Sequence, residues 1–284
     1  MKLAGVVVLY NPTKSVLKNI DSYVKKVEKL YVIDNSSDDN SEMFKDYKKI
    51  SYISFGKNEG IAKALNEGAN NATKDGYDYL LTMDQDSNFT NDNLDKLISF
   101  TERMIKKYGN KLGLVSPWHS TKENKIKPNK EYEEVLEEMT SGNIISLDAW
   151  KKINGFKEWF FIDNVDIEYC MNLNKNNYKV ITYYESILLH DLGNITKKKF
   201  LWKTFYCTNH NYLRQYYMIR NLYYLNELYG DIYPEKIKSM KRGAFGRFKN
   251  IIVWEHDKFR KIRSMYRGYK DFKKKKVGIY QYKN

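Results

Sequence analysis

Asp84 and Asp86 are the residues whose spacing most directly suggests chemistry. They follow the apolar run at residues 77–83, which predicts a β-strand, so both carboxylates leave the same strand end. Two hard oxygen ligands suit Mg²⁺ or Mn²⁺, which complete their coordination shells with water and substrate phosphates. This pattern predicts a divalent-metal site that binds a diphosphate, although two acids at this spacing are also common on protein surfaces.

Three further polar candidates lie at the ends of neighbouring predicted elements. Asp34 ends a predicted strand in IDNSS, where its carboxylate could accept hydrogen bonds from a ribose or a base. An Asx-turn that leaves the strand explains this residue equally well. Asn58 and Gly60 open a predicted helix whose amide groups could face an anion, with Gly60 permitting close backbone approach. For this pair the alternative is an ordinary tight turn.

Acidic residues also cluster in the segment FFIDNVDIEYC at 160–170. On a helix, Asp163 and Asp166 share a face while Glu168 points elsewhere. One partly buried carboxylate of this group could act as a general base toward a hydroxyl, although acids also favour helix starts. Farther along, His190 ends an apolar stretch and could supply another metal ligand, whereas a lone His is more often structural.

These residues need a scaffold that brings strand ends together. Apolar runs alternate with helical patterns along the first hundred residues, which predicts an α/β fold with a mainly parallel sheet and a site at its carboxyl edge. The predicted strands are 3–10, 29–34, 50–55 and 77–83, and the clearest helix is 59–72.

The middle of the chain is less regular. We expect residues 121–138 to form a loop or an exposed helix, and residues beyond Lys197 to be helical, basic and aromatic. The other predicted elements are strands at 111–117 and 178–184, and helices at 148–152 and 165–174. Residues 141–147 are predicted to return to the core.

Charge is unevenly distributed along the 284 residues. Residues 197–284 hold 23 Lys and Arg against 6 Asp and Glu, a balance of +17, whereas the remaining residues hold 26 against 29, a balance of −3. A neutral body with a strongly basic end predicts an acidic partner for that end. We therefore predict two domains, residues 1–196 and residues 197–284.

The cellular location follows from what the sequence contains. Cys170 and Cys207 lie far apart and lack metal-binding spacing, which favours a reducing interior. The opening MKLAGVVVLYNP predicts a buried strand instead of a signal peptide, and no stretch approaches the roughly 20 apolar residues that span a bilayer. We expect a cytoplasmic protein, or one attached peripherally to the inner face of the cell membrane.

Together these motifs resemble those of the inverting glycosyltransferases of family 2, which have the GT-A fold, and most of all the bacterial rhamnosyltransferase type. The resemblance covers residues 3 to about 272 in consistent order. The segments that carry it are VVVLYNP (6–12), IDNSS (33–37), NEGIAKALNEG (58–68), MDQDS (83–87), TSGNIIS (140–146), FIDNVDIEYC (161–170), HDLGN (190–194) and YYMIRNLYYL (216–225).

The resemblance implies transfer of rhamnose or another hexose from a dTDP- or UDP-sugar to a glycan or lipid-linked acceptor in bacterial surface-polysaccharide synthesis. The donor half would be residues 1 to about 110, and the acceptor half about 111–196. The implied roles are substrate binding for Asp34, Asn58, Gly60, Asp84 and Glu168, binding of Mn²⁺ or Mg²⁺ for Asp86 and His190, and catalytic base for Asp166.

The base assignment has a rival within the same motif. Val165 stands where the family usually has an acid immediately before the base, and Asn172 stands where it usually has an Arg. Because of these departures, Asp163 remains a second candidate for the base.

The basic end predicts an amphipathic helix at residues 255–272. Its predicted apolar face carries Phe259, Ile262, Met265, Tyr266 and Tyr269, flanked by basic residues. Such a helix could lie on an anionic membrane, pack on the catalytic domain with its basic side in solvent, or form an oligomer interface.

Two other functions compete with the transferase interpretation. A nucleotidyltransferase would need a Gly- and basic-rich phosphate loop near the first strand, and Tyr10-Asn11-Pro12-Thr13 does not provide one. A nucleic-acid-binding protein would leave the carboxylates at the strand ends unexplained, because they would repel phosphates. We therefore expect no nucleic-acid partner.

Overall fold

A computed structural model of the chain describes residues 1–120, 127–190, 196–200 and 203–281, with the backbone only at 190, 197–200 and 203–206. The chain divides into two compact units. The first comprises Met1–Glu158 and Asp166–Asp191, and the second comprises Trp159–Val165 and Leu192–Asn284. The short segment Trp159–Val165 thus packs with the second unit, although it lies within residues 1–196.

A nine-stranded sheet forms the centre of the first unit. Its strands are β1 (Leu3–Leu9), β2 (Leu30–Asp34), β3 (Ile50–Ser54), β4 (Tyr79–Asp84), β5 (Ser87–Phe89), β6 (Leu112–Ser120), β7 (Tyr132–Glu134), β8 (Asn143–Ser146) and β9 (Lys179–His190). The order is β3-β2-β1-β4-β8-β6-β9-β5, and β7 pairs with β9. The half from β3 to β4 is parallel, whereas β8 runs antiparallel to both of its neighbours.

Helices of the first unit cover the sheet through apolar faces. They are α1 (Ser15–Asp21), α2 (Ile61–Lys74), α3 (Asn93–Tyr108), α4 (Leu147–Lys152) and α5 (Val165–Lys175). The buried face of α3 carries Leu94, Leu97 and Phe100, which follow the helical repeat. In α2, a Cβ at Gly68 would lie 2.3 Å from Val6 Cγ2, so this glycine allows the helix to approach β1 closely.

The predicted α/β fold with its central sheet is confirmed, and the difference lies in the middle segment. Within the described part of 121–138, residues Tyr132–Glu134 form β7, so the exposed helix was wrong there. The Tyr132 ring lies 5.4 Å from the Phe100 ring, and β7 gains backbone partners on β9. These tertiary contacts outweigh the polar local sequence.

The second unit begins with a hairpin and continues with three long helices. Its elements are β10 (Thr196–Phe200), β11 (Lys203–Cys207), α6 (Tyr212–Tyr229), α7 (Pro234–Trp254) and α8 (Lys258–Lys273). The expectation of helix from Lys197 onward was wrong for β10 and β11, which pair antiparallel. Thr204, Phe205 and Tyr206 are strand-forming residue types, which favours the hairpin over a helix.

Helix α8 packs against α6 in the core of the second unit. A Cβ at Gly268 would lie 2.5 Å from the Tyr216 carbonyl oxygen, which shows how closely the two backbones approach. The predicted helix is present, but only part of its predicted apolar face is buried. Met265 is buried with Ile262 and Tyr269 beside it, while Phe259 and Tyr266 point to solvent. None of the described helices is long and apolar enough to cross a membrane.

Candidate active site

Asp84 and Asp86 lie at the carboxyl end of β4. Asp84 is half-buried and Asp86 is exposed just beyond it. The Asp84 amide donates to Ser141 Oγ at 3.1 Å. Between the two acids, the Gln85 side chain accepts from the Tyr10 amide at 2.9 Å and donates to the Tyr10 carbonyl at 3.2 Å. The turn that presents both carboxylates is thus bound to the end of β1.

Asp84 lies in a strongly acidic environment. Burial, followed by the charges of Asp86 and Asp166, raises the pKa of the Asp84 carboxyl to about 7. The Asp86 and Asp166 carboxylates are therefore close enough to Asp84 to disfavour its charge in a partly water-excluded site. A divalent cation would relieve this repulsion, and the oxygen ligands available suit Mg²⁺ or Mn²⁺. Asp84 and Asp86 supply carboxylate oxygens of the kind that such an ion binds.

Sheet pairing brings the backbone of His190 close to the end of the Asp84–Asp86 turn. In the antiparallel pair β5–β9, Ser87 lies opposite His190, so His190 is adjacent in the sheet to the residue that follows Asp86. The side chain of His190 lies outside the described residues. Among the side chains that are described, no group of three His, Cys, Asp or Glu could hold a metal ion. The pairing of Asp86 with His190 as ligands remains a prediction.

Asp34 is fully buried at the end of β2. Its carboxylate accepts hydrogen bonds from the Ser36 amide, Asn40 Nδ2 and the Tyr52 hydroxyl, each at 2.8 Å. Burial and the hydrogen bond to Asp34 both contribute to a raised pKa for Tyr52, so its hydroxyl stays a donor. In this structure Asp34 orders the loop that follows β2.

Asn58 and Gly60 lie in the neighbouring loop, before α2. The Gly60 amide donates to Asn58 Oδ1 at 3.0 Å, and its φ of +91° is a conformation that favours glycine. Asn35 joins this loop to the end of β2. It donates to the Gly60 carbonyl and accepts from the Glu59 amide, both at 3.2 Å. Asn35 was not among the predicted site residues, although its position in IDNSS beside Asp34 was a usable signal.

The two candidate bases have different surroundings. Asp163 is almost fully buried and binds Arg214, whose Nη2 and Nε lie 2.5 and 3.2 Å from Oδ1. Asp166 is half-buried in the first turn of α5 and belongs to the first unit, where its charge acts on Asp84. Glu168, one of the predicted substrate-binding residues, is fully buried. Of the three acids in this motif, Asp166 is the one associated with the Asp84–Asp86 pair.

Glu138 is a site residue that sequence reasoning missed. It lines a narrow cavity of the first unit together with Asp166 and Thr82. Burial, the largest cause, raises the pKa of its carboxyl to about 7, and the carboxyl accepts a hydrogen bond from Thr182. No local signal marks Glu138, because it belongs to a polar, Glu-rich segment whose other acids are mostly more exposed.

His119, buried on β6, connects Glu138 with the Asp84 turn. Its Nε2 lies 2.7 Å from the Ser141 carbonyl oxygen, and its Nδ1 lies 3.6 Å from Glu138 Oε2. Ser141 in turn accepts from the Asp84 amide. A continuous polar network therefore runs from Glu138 through His119 to the backbone of Asp84.

The chain is similar in sequence to known glycosyltransferases. The family model for glycosyl transferase family 2 matches residues 6–106, which contain Asp34, Asn58, Gly60, Asp84 and Asp86. The dTDP-rhamnosyl transferase RfbF of Shigella flexneri is 26% identical over an alignment of 247 residues, with 78% of this chain and 78% of that protein covered. Both findings support a family 2 glycosyltransferase, as the sequence motifs indicated.

Solved structures that resemble the chain share its fold. Residues 1–349 of TarS from S. aureus, in complex with UDP-GlcNAc, align with a TM-score of 0.62 and 13% identity over 96% of this chain and 80% of that one. GalNAc-T7, crystallised with UDP, GalNAc and Mn²⁺, aligns with a TM-score of 0.55 and 12% identity over 67% of this chain and 44% of that one. At these identities the likeness concerns the fold, and it confirms GT-A.

Proposed function

We propose that this glycosyltransferase is metal-dependent and inverting, and that it moves a hexose from a dTDP- or UDP-sugar to a glycan or lipid-linked acceptor. The observation that carries this proposal is the electrostatic coupling of Asp84, Asp86 and Asp166 at the end of β4. One carboxylate cluster there could serve both a metal-bound diphosphate and a general base.

The proposed donor is dTDP-rhamnose. Its support is the similarity to a dTDP-rhamnosyl transferase, while the similar folds of TarS and GalNAc-T7 were crystallised with UDP or a UDP-sugar. Asp34, Asn58 and Gly60 would form the wall for the base and ribose, because Asn35 holds their loops together. Asp84 would face the ribose and diphosphate.

The proposed metal ligands are Asp86 and His190, which the β5–β9 pairing supports. A bound Mn²⁺ or Mg²⁺ supplies stabilisation of the charge that develops on the leaving diphosphate. The chain's own contribution is to fix the Asp84–Gln85–Asp86 turn through the two Gln85–Tyr10 hydrogen bonds.

Asp166 is the proposed catalytic base. Its carboxylate takes the proton of the acceptor hydroxyl while that oxygen attacks the anomeric carbon from the face opposite the diphosphate. The bond between the anomeric carbon and the diphosphate oxygen breaks in the same displacement, so the configuration inverts. Asp163 is less suited to this role, because the Arg214 guanidinium donates hydrogen bonds to both of its carboxylate oxygens.

Substitution of the two acids tests this assignment. Asp166→Asn should lower kcat by roughly 10²–10⁴-fold without changing donor affinity, since an amide cannot accept the proton. Donor affinity is measured by calorimetry and the product anomer by NMR. Asp163→Asn is the control. It should retain transfer when it is assayed at a temperature at which the variant is folded. A near-full rate in Asp166→Asn would contradict the proposal. So would a result in which folded Asp163→Asn loses transfer and Asp166→Asn keeps it.

The acceptor side of the proposal concerns surface-polysaccharide assembly. A lipid-linked acceptor would require this protein to work at the inner face of the cell membrane. The +17 balance of residues 197–284 supports an anionic surface as the partner of that region.

A further inference from the structure

The outer face of α8 carries residues that the fold of the second unit does not use. Phe259 is 91% exposed and Tyr266 is 58% exposed. Arg263, Lys270 and Lys273 are exposed as well, and the five residues follow steps of four, three, four and three. This spacing places them on one face of a helix. We refer to Phe259, Arg263, Tyr266, Lys270 and Lys273 as the α8 outer stripe.

The opposite face of α8 already accounts for its packing. Met265 is buried there beside Ile262 and Tyr269, and the Tyr269 ring lies 4.8 Å from the Tyr223 ring on α6. Lys261 is buried too, with its Nζ 2.8 Å from Glu255. The helix is therefore stabilised from its inner side, and the exposed aromatic rings of the outer stripe need another explanation.

Helix α7 repeats the same spacing. Lys238, Arg242, Phe245, Lys249 and Ile252 again follow steps of four, three, four and three, and all five are exposed. Phe245 is 58% exposed and Ile252 is 44% exposed. Ala244 and Ile251 lie on the inner side of α7, in the same core cluster as Met265 of α8. We refer to these five exposed residues as the α7 outer stripe.

In each stripe, one exposed ring has a lysine ammonium group above its face. Lys249 Nζ lies 4.5 Å from the centre of the Phe245 ring, and Lys270 Nζ lies 5.3 Å from the centre of the Tyr266 ring. Acids are scarce on both helices: α7 contains Glu235 alone, and α8 contains Asp271 alone, which is buried. Each stripe therefore combines apolar tips with a local excess of positive charge.

We propose that the two outer stripes bind the surface of a bilayer that contains anionic phospholipid, with Phe245, Phe259 and Tyr266 inserted among the headgroups. Apolar residues alternating with Lys and Arg on one helix face are the pattern of interfacial helices. RNA would also attract the cations, but the aliphatic Ile252 offers no ring for a base to stack on. The inference deepens the proposed function, because it names the surface at which a lipid-linked acceptor would be met.

Vesicle co-sedimentation of the full chain tests this inference. The probes are vesicles of phosphatidylcholine alone and vesicles in which part of the lipid is phosphatidylglycerol. We expect binding to the anionic vesicles that weakens as salt is added, and little binding to the neutral ones. Equal binding to both vesicle types, or no binding to either, would overturn the proposal.

Substitutions in the α8 outer stripe separate its charge from its apolar tips. The triple variant R263Q/K270Q/K273Q should bind anionic vesicles about a hundredfold more weakly, and F259S/Y266S at least about tenfold more weakly. The matched control K25Q/K48Q/K106Q removes three exposed lysines of the first unit and should bind like the wild type. If this control weakens binding as much as the stripe variant does, only net charge matters and the stripe is not the site.

Two further measurements keep the outcomes distinct. Donor binding in solution, without vesicles, should be unchanged in every stripe variant, and its absence in the wild type would count against the proposed function alone. An RNA oligonucleotide should not compete for the anionic vesicles at equal charge concentration. If the wild type binds the RNA more tightly than the vesicles, and both α8 variants lose RNA binding, the surface is a nucleic-acid site and the membrane proposal fails.

Discussion

The two units differ in the charges around one buried ionisable group in each, Asp84 in the first unit and His210 in the second. In the first unit, burial raises the pKa of the Asp84 and Glu138 carboxyls to about 7, and the charges of Asp86 and Asp166 add to the shift of Asp84. In the second unit, cations surround His210. Burial, followed by Arg214, Arg247 and Lys261, lowers the pKa of His210 to about 4. The first field favours a cation as ligand, and the second favours an anion.

This difference agrees with the charge division in the sequence. In the near-neutral body, the fold brings Asp166 close to Asp84 and Asp86 at the carboxyl end of β4, although Asp166 is far from them in the chain. The basic end spreads its charge over exposed helix faces, so its field extends over a surface instead of a pocket. A metal-bound diphosphate matches the first geometry, and a lipid surface matches the second.

Removing the Glu138 charge should have the largest effect on stability. Folding raises its pKa from 4.5 to about 7, so the protonated form is favoured in the native state. The resulting stabilisation is full below about pH 4.5 and is lost as the pH rises to about 7, a change of about 3 kcal/mol in the free energy of unfolding. Glu138→Gln, permanently neutral, should lose this share of the pH dependence in urea unfolding, while the share of Asp84, whose pKa is also raised to about 7, should remain.

The control for this experiment is Glu133→Gln. Glu133 is exposed and lies beside Lys130, whose hydrogen bond lowers the pKa of its carboxyl. Stability of this variant should keep the wild-type fall between about pH 4.5 and 7. If Glu138→Gln retains the whole of that fall, burial does not raise the pKa of Glu138.

Metal and nucleotide should stabilise the protein through the first unit. At a ligand concentration of about one hundred times Kd, binding to the native state adds about 2.7 kcal/mol to the free energy of unfolding. Mn²⁺ with dTDP or UDP should therefore raise the Tm of the wild type, and Asp86→Asn should remove most of the increase. Asp95→Asn is the control, because Asp95 lies in α3 and its carboxylate binds Lys26 at 2.8 Å. An unchanged Tm increase in Asp86→Asn would place the cation elsewhere.

Much of the first unit could be predicted from the sequence. The strands β1 to β4 begin and end within about two residues of their predicted limits, because each is an apolar run bounded by turn residues. The same rule placed Asp34 and Asp84 at strand ends. Local sequence patterns therefore predict the donor side of the site.

The acceptor side depends on contacts that no local pattern contains. Asp163 meets Arg214 across 51 residues, so the sequence could not separate it from Asp166 as a base. Glu138 is buried by strands that precede and follow it, and its polar segment looks solvent-exposed by itself. In α8, periodicity found the helix but could not tell which apolar residues the core of the second unit would cover.

Substitution of His210 should have the smallest effect on stability. The pH dependence that His210 causes has the opposite sign to that of Glu138. The pKa of His210 falls from 6.5 to about 4, so the neutral imidazole is favoured in the native state. Its stabilisation is full above about pH 6.5 and is lost as the pH falls to about 4; because the group is partly exposed and screened, we expect about 1–2 kcal/mol. The pH dependences from Glu138 and His210 have opposite signs in overlapping ranges, so they partly cancel in the wild type.

His210→Gln should expose the full loss of stability with rising pH that Glu138 causes, whereas His256→Gln, at an exposed position, should leave the wild-type profile intact. Identical unfolding profiles for His210→Gln and the wild type between about pH 4 and 6.5 would show that the cationic field of the second unit does not reach its interior.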